Sequence, residues 1–296
     1  ESLDTVISGQ NWAEGDEAVM ASSDYQAMLH QFDLMEKRYR IKKTIVSLPL
    51  NPASDDEIVD LYAGAITPRT KLLMVCHVVN ITGQVLPVKK IAEMARARNV
   101  AVMVDGAHAF AQLQYSIADL NVDYYGASLH KWLGAPLGAG ILYVRKERIA
   151  DLWPLYGENN FPNDDIRKLN HRGTHPVATD LAIEDAISAY RLIGLDKKEA
   201  RLRWLQKYWT DQVRSTPRIS LLTPAAPERT CAIATVSVEG YTPTELKDQL
   251  YNNHRIFTVA IEREEAGVRG VRVTPHLYTT QQELDKLVEA LKALAA

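Results

Sequence analysis

Cysteine is nearly absent: the 296 residues hold only Cys76 and Cys231. Neither belongs to a CxxC pair or has a histidine beside it at metal-ligand spacing. A thiolate metal site is therefore excluded, and both cysteines read as small buried apolar residues. An excess of positive charge is missing as well. With a net charge of −3 the chain offers no basic surface of the kind a nucleic-acid backbone demands. No apolar run approaches the roughly 20 residues needed to span a bilayer. Internal repeats and low-complexity tracts are absent, which sets aside solenoids and disordered arrays. A dinucleotide fingerprint is absent too, because no strand-to-helix turn with the required glycine spacing follows the stretch Gly134-Ala135-Pro136-Leu137-Gly138-Ala139-Gly140.

What is present is an ordinary balance, 46% hydrophobic and 24% charged, enough for one large core or two moderate ones. Periodicity predicts strands at residues 17–21, 43–48, 71–78, 100–105, 123–127 and 140–144, with helices at 28–39, 55–62 and 87–98 between them. Ser54 suits the N-cap of the second helix and Pro87 the first turn of the third. Strand, helix, strand at this spacing is a βαβ unit, so a doubly wound, mainly parallel sheet is expected. Residues 153–170 read as irregular, and helices are expected at 180–193 and 197–210. Strands at 231–238, 256–261 and 270–273 with helices at 243–251 and 281–294 make a smaller C-terminal α+β domain. The expected division is residues 1–195 and 196–296. Because residues 1–9 already carry a helical face (Leu3, Val6, Ile7), a missing front end is expected. The expected location is the cytoplasm, with an export signal left open for the same reason.

The chemistry gathers at strand ends. Ser128-Leu129-His130-Lys131-Trp132 follows one strand and precedes the glycine-rich loop. A lysine at that place, beside a serine and a histidine, can bind an aldehyde cofactor as an imine while its neighbours hold a phosphate; pyridoxal phosphate fits. The run Val100-Ala101-Val102-Met103-Val104-Asp105-Gly106-Ala107-His108 reads as a buried parallel strand that ends in a carboxylate. Ligands of open α/β sheets sit outside the carboxyl ends of strands, so Asp105 and Lys131 would meet there if their strands are neighbours. A carboxylate against the pyridine nitrogen keeps it protonated and makes the ring an electron sink. Taken singly, Lys131 also reads as a solvated lysine and Asp105 as a helix cap; the ordered pair favours the cofactor. Tyr25, at the end of the first strand, can lay its ring over a planar cofactor or simply start a helix. Asn80 can donate to the cofactor's phenolic oxygen or close an Asx-turn. Around Gly270-Val271-Arg272-Val273-Thr274-Pro275-His276, either Arg272 or Arg269 just before the stretch can aim inward and take a substrate carboxylate in its planar fork.

The succession Asn80-Ile81-Thr82-Gly83, Asp105-Gly106-Ala107-His108, Ser128-Leu129-His130-Lys131 and Arg272-Val273-Thr274-Pro275-His276 closely resembles the class V aminotransferase-fold pyridoxal-phosphate enzymes, and within them the isopenicillin N epimerase-like branch. The resemblance runs over nearly the whole chain and implies the fold type I α/β architecture. It also implies roles: Lys131 as the imine lysine, Asp105 on the pyridine nitrogen, Asn80 and His108 near the phenolic oxygen. Tyr25 would stack on the ring, while Ser128 and His130 would hold the phosphate. Thr174 would reach the phosphate of a neighbouring subunit, hence a homodimer, and Arg272 would bind an amino-acid substrate. Two departures accompany the likeness. The turn that precedes the first large-domain helix in these enzymes would lie before Glu1, leaving the phosphate site incomplete. No cysteine lies between Tyr251 and Arg272, where desulfurases of the class carry their nucleophile, so persulfide chemistry is disfavoured.

The expected reaction is pyridoxal-phosphate chemistry at the α-carbon of an amino acid, with epimerisation and transamination both open. A carbon–sulfur lyase and a degenerate, non-catalytic cofactor binder are the alternatives.

Overall fold

Five consecutive residues, Ala101 to Asp105, are buried without a break, which only a strand covered on both faces can accommodate. That strand is central to the computed structural model, which describes residues 1–170 and 173–296. The first part of the chain runs α1 (Ser2–Gly9), β1 (Glu17–Ala21), α2 (Gln26–Tyr39), β2 (Lys42–Val46), α3 (Asp55–Ala65), β3 (Thr70–Cys76), α4 (Val88–Arg96), β4 (Ala101–Asp105), α5 (Ile117–Leu120), β5 (Tyr124–Ser128) and β6 (Gly140–Val144). Its sheet has the order β2-β1-β3-β4-β5-β6. The pairs from β2 to β5 are parallel, whereas β6 returns antiparallel to β5. The reversal has a steric cause: the connection from Ser128 to Gly140 is too short to carry the helical crossover that a parallel neighbour needs.

Helices cover both faces. Ile58 and Tyr62 of α3, with Ile91 and Ala95 of α4, bury one face, and Val6 and Ile7 of α1, with Phe32 and Met35 of α2, bury the other. Each Val, Ile, Phe or Met side chain among them stabilises the fold by about 1.5–3 kcal/mol. Ser54 caps α3 as expected, its hydroxyl accepting the Glu57 N–H at 3.2 Å. Two glycines permit close layers beside the strand ends. A Cβ on Gly106 would fall 1.8 Å from the Tyr125 hydroxyl, and one on Gly126 would fall 2.7 Å from Leu3 of α1.

The helix α6 (Val177–Ile193) leads to the second part, which comprises α7 (Leu195–Val213), β7 (Ile219–Leu221), β8 (Ala234–Val238), α8 (Pro243–His254), β9 (Val259–Arg263), β10 (Val268–Val273) and α9 (Gln281–Ala295). Its antiparallel sheet, β7-β8-β10-β9, packs with α7, α8 and α9 around Trp209, Leu250 and Leu291. The strand expected from residue 231 begins only at Ala234, because Ala232 donates its N–H to the Gln112 side chain at 2.7 Å. The strand expected from residue 256 begins at Val259. No helix of the described residues is long and apolar enough to cross a membrane. His171, within the motif 171–175, lies outside the described residues, as does Arg172.

His77 follows β3, and its N–H donates to Asp105 O at 2.9 Å. Its ring is buried edge-on against Tyr115, with centroids 4.5 Å apart. Burial pushes its protonation from 6.5 down to about 4. Since the unfolded chain takes up the proton first, this ring contributes stability that is present above pH 6.5 and is lost as pH falls through 4. We expect acidification across that window to cost up to about 3 kcal/mol through His77 alone. His77→Phe should flatten the urea-unfolding free energy against pH relative to the parent by about 1.4 kcal/mol per pH unit; parallel curves for the two proteins would show that this ring does not titrate there.

Candidate active site

The parallel register decides which side chains meet. Asp105 pairs with Cys76 of β3 on one side and with Gly126 of β5 on the other, and Lys131 stands in the turn that follows β5. These strand ends open into a cavity of about 1020 Å³. Tyr25, Asn80, Asp105, His108, Ser128, His130, Lys131 and Arg272 all line it, and Thr174 does not. Arg269, by contrast, points to solvent near Glu262, at 3.8 Å. Alternation along β10 thus separates the two arginines, and Arg272 is the inward one.

The geometry around Lys131 specifies a proton arrangement. Its Nζ lies 3.2 Å from His108 Nε2, while the Trp132 indole N–H donates to His108 Nδ1 at 3.4 Å. An indole can only donate, so His108 accepts at Nδ1 and a neutral ring carries its proton on Nε2, facing Lys131. Burial, then Lys131, Arg272 and His130, pushes His108 well below the ordinary imidazole range. Burial also lowers Lys131, partly offset by Asp105. A neutral amine accepts the His108 proton; an ammonium would set donor against donor. Asp105 is raised by burial and steadied by the Ala107 N–H, which donates to Oδ1 at 3.0 Å.

Four buried polar atoms on residues lining this cavity have no partner among the described residues: Asn80 Oδ1, His130 Nδ1, Arg272 Nε and His276 Nδ1. Leaving such an atom dry costs about 1–3 kcal/mol. Together with an amine and a carboxylate on adjacent strand ends, this surplus of unpaired polar groups fits a phosphorylated, hydrogen-bonding aldehyde cofactor. Arg272 also donates to Asn80 O at 3.1 Å, tying β10 to the loop after β3.

Several residues escaped the sequence reading. Asp24 is fully buried three residues past the end of β1, within Ser22-Ser23-Asp24, whose composition reads as a solvated turn. Lys198 of α7 is buried, donates to Trp132 O, and is pushed by burial down to about 8. His276 stacks between Trp132 and Tyr278, with centroids 5.5 and 4.7 Å away, and burial lowers it to about 4. Its place after the arginine strand was the available signal.

The family model for class V aminotransferases matches residues 1–287. Isopenicillin N epimerase of Amycolatopsis lactamdurans is 30% identical over 96% of this chain and 75% of its own length. A probable cysteine desulfurase of Halobacterium salinarum is 29% identical over 94% of this chain and 69% of its own. Among solved structures, a lysine-to-alanine variant of C-DES with glycine covalently linked to the PLP cofactor superposes with a TM-score of 0.88 at 20% identity, covering 98% of this chain and 78% of that one. Matched along nearly its whole length, the chain belongs to the class V aminotransferases, a family of pyridoxal-phosphate-dependent enzymes.

Proposed function

We propose that the chain acts at the α-carbon of an amino acid as an isopenicillin N epimerase-like or aminotransferase enzyme. The support for α-carbon chemistry is the meeting of Lys131, Asp105 and four unpartnered polar atoms in one cavity. Preference for the epimerase branch rests on the Amycolatopsis relative. In this reading Lys131 holds the cofactor, Asp105 faces its ring nitrogen, Asn80 and His108 its phenolic oxygen, Tyr25 its ring face, and Ser128 and His130 its phosphate. When bound, pyridoxal phosphate supplies an electron sink for the bond broken at the α-carbon. Lys131 is the base: burial keeps its amine free of a proton at a higher fraction than a solvated lysine, so it can take the α-proton. His108, with its proton on Nε2, keeps that amine oriented. Arg272 receives the substrate carboxylate, since its Nε is buried without a partner.

We also propose a homodimer and the division at residues 195 and 196. No residue of α6 is buried, and Leu181 and Leu192 on it are 74% and 89% exposed, an apolar surface suited to a second copy. Thr174, just before α6 and outside its own cavity, would serve the neighbouring site. A carbon–sulfur lyase is the second reading, favoured by the Halobacterium relative. Both cysteines are buried, which leaves no exposed thiol to carry a persulfide. Product analysis with L- and D-amino acids and cysteine derivatives separates the two: inverted or transaminated product supports the first, and a keto acid released with a sulfur product supports the second.

Borohydride reduction of the cofactor-loaded protein, followed by peptide mapping, is expected to label Lys131, and Lys131→Ala should lose the visible cofactor band with almost all turnover. A label on any other lysine would overturn the assignment. For Arg272→Lys we expect amino-acid binding to weaken by about 1.5–3 kcal/mol with cofactor binding little changed, as for one lost charged hydrogen bond. A raised KM in Arg269→Lys with none in Arg272→Lys would reverse the two arginines.

A further inference from the structure

Beneath Asp105 lies a second buried carboxylate. Asp24 is 0% exposed, and its two oxygens are engaged with different strands: Oδ2 accepts the Ala21 N–H of β1 at 2.8 Å and Oδ1 accepts the Cys76 N–H of β3 at 3.2 Å. The Cys76 side chain continues the line, its Sγ standing 3.9 Å from Asp105 Oδ2, within reach of a thiol hydrogen bond. Burial and the two carboxylates keep that thiol protonated and hence a donor. The remaining oxygen of Asp105 takes the Ala107 N–H, so both of its oxygens are held by the protein. On the other side, Arg263 of β9 donates to the backbone oxygen of Ser22 at 2.7 Å and to that of Asp24 at 3.4 Å. Asp24, the backbone N–H and thiol of Cys76, and Asp105 thus lace the ends of β1, β3 and β4 together.

We propose that Asp24 is a positioning residue for the reaction: through the Cys76 thiol it orients the Asp105 carboxylate and strengthens the hold of that carboxylate on the proton of the cofactor's ring nitrogen. The inference rests on the assignment of Asp105 to that nitrogen. The groups that face Asp24 are Cys76 on β3, Asp105 on β4, Tyr62 on α3 and Arg263 on β9, with Lys131 beyond Asp105. Burial, the largest influence, pushes Asp24 up to about 7. Below that pH the Asp24 carboxyl is neutral and acts by geometry alone. Above it a second negative charge appears behind Asp105, and like charges one side chain apart favour retention of a proton between carboxylate and ring. Asp24→Asn removes that charge, and because its amide nitrogen cannot accept, it also gives up one of the two backbone N–H bonds, that of Ala21 or that of Cys76.

The test is a pH titration of the holoenzyme loaded with pyridoxal phosphate labelled with nitrogen-15 in the ring, read by the nitrogen chemical shift. Asp24→Asn should release the ring proton slightly earlier than the parent below about pH 7, where only the lost N–H bond acts, and about one pH unit earlier above it, where the charge is lost as well. Cys76→Ala leaves Asp105 Oδ2 without the bond that aims it, and the loss of aim should release the ring proton earlier across the range; later release, as follows if the thiol only withdraws charge from the carboxylate, would overturn the inference, and Cys76→Ser, which restores a donor, should return toward the parent. If Asp24→Asn fails to fold, the Cys76→Ala and Cys76→Ser pair decides. Curves that match the parent in Asp24→Asn and in Cys76→Ala, even with lowered melting temperatures, would reduce Asp24 to a strand staple and overturn the inference. An Asp105→Ala holoenzyme whose ring nitrogen titrates like the parent would instead overturn the assignment of Asp105, which keeps the two failures apart.

Discussion

Registration of three strand ends is the constraint on which the site depends. Cys76, Asp105 and Gly126 stand side by side on β3, β4 and β5, and the backbone continues the lacing past the strands: His77 N–H to Asp105 O at 2.9 Å and Gly106 N–H to Gly126 O at 2.8 Å. A one-residue slip of β4 would turn Asp105 to the opposite face and put Val104 in its place. The carboxylate therefore inherits the precision of the sheet rather than that of a loop. Lys131 lies beyond the ladder and needs separate support. Leu129 N–H bonds Ala139 O at 3.1 Å, Ala135 N–H bonds Leu129 O at 3.1 Å, and Lys198 reaches in from α7 to the Trp132 carbonyl.

Desolvation sets the chemistry at those ends. Burial moves Lys131 and His108 down and Asp105 and Asp24 up, in each case toward the neutral form. A cavity of weakly charged groups can accept a charged ligand without breaking strong ion pairs first. The same dryness amplifies each charge that does form, since attraction grows as the effective dielectric falls. The orphaned Arg272 Nε follows the same logic: it is held dry by packing and becomes favourable only when a ligand acceptor reaches it.

Much of this was legible in the sequence, and for definite reasons. Glu17–Ala21 was bounded correctly because turns punctuate both of its ends, and the start of α3 because Ser54 announces it, while its end runs three residues past the expected 62. Asp105 and Lys131 stood out because a lone carboxylate or amine closes an otherwise apolar or glycine-bounded strand. The parallel order of strands then followed from the βαβ spacing, as did their meeting at one edge. The strand β7 and helix α5 were not legible, since three or four residues carry no measurable period. Asp24 was hidden by its context. Ser22-Ser23-Asp24 has the composition of a solvated turn, and its burial comes from Cys76, 52 residues away, and from Arg263, 239 residues away. Lys198 likewise sits on a helix rich in charge, where only the tertiary fold shows which lysine turns inward.

Where the second sheet meets the first also bears on function. Besides apolar packing of Leu202 and Ile233 beneath Trp132, it grips the strand-end loops by hydrogen bonds. Thr235 Oγ1 donates to Ile81 O at 2.7 Å, Thr223 Oγ1 to Thr82 O at 2.7 Å, Arg272 to Asn80 O at 3.1 Å and Arg263 to Ser22 O at 2.7 Å. The accepting oxygens belong to the loops that carry Asn80 and Asp24. A shift of β8, β9 or β10 must therefore strain the placement of those residues before it disturbs either core. Arg272 is a member of both sets, gripping Asn80 with Nη1 while its Nε stays unpartnered beside the cavity. A carboxylate drawn to that free nitrogen would pull on the same guanidinium that holds the Asn80 loop, so under the proposed role of Arg272 substrate binding would be coupled mechanically to the placement of Asn80.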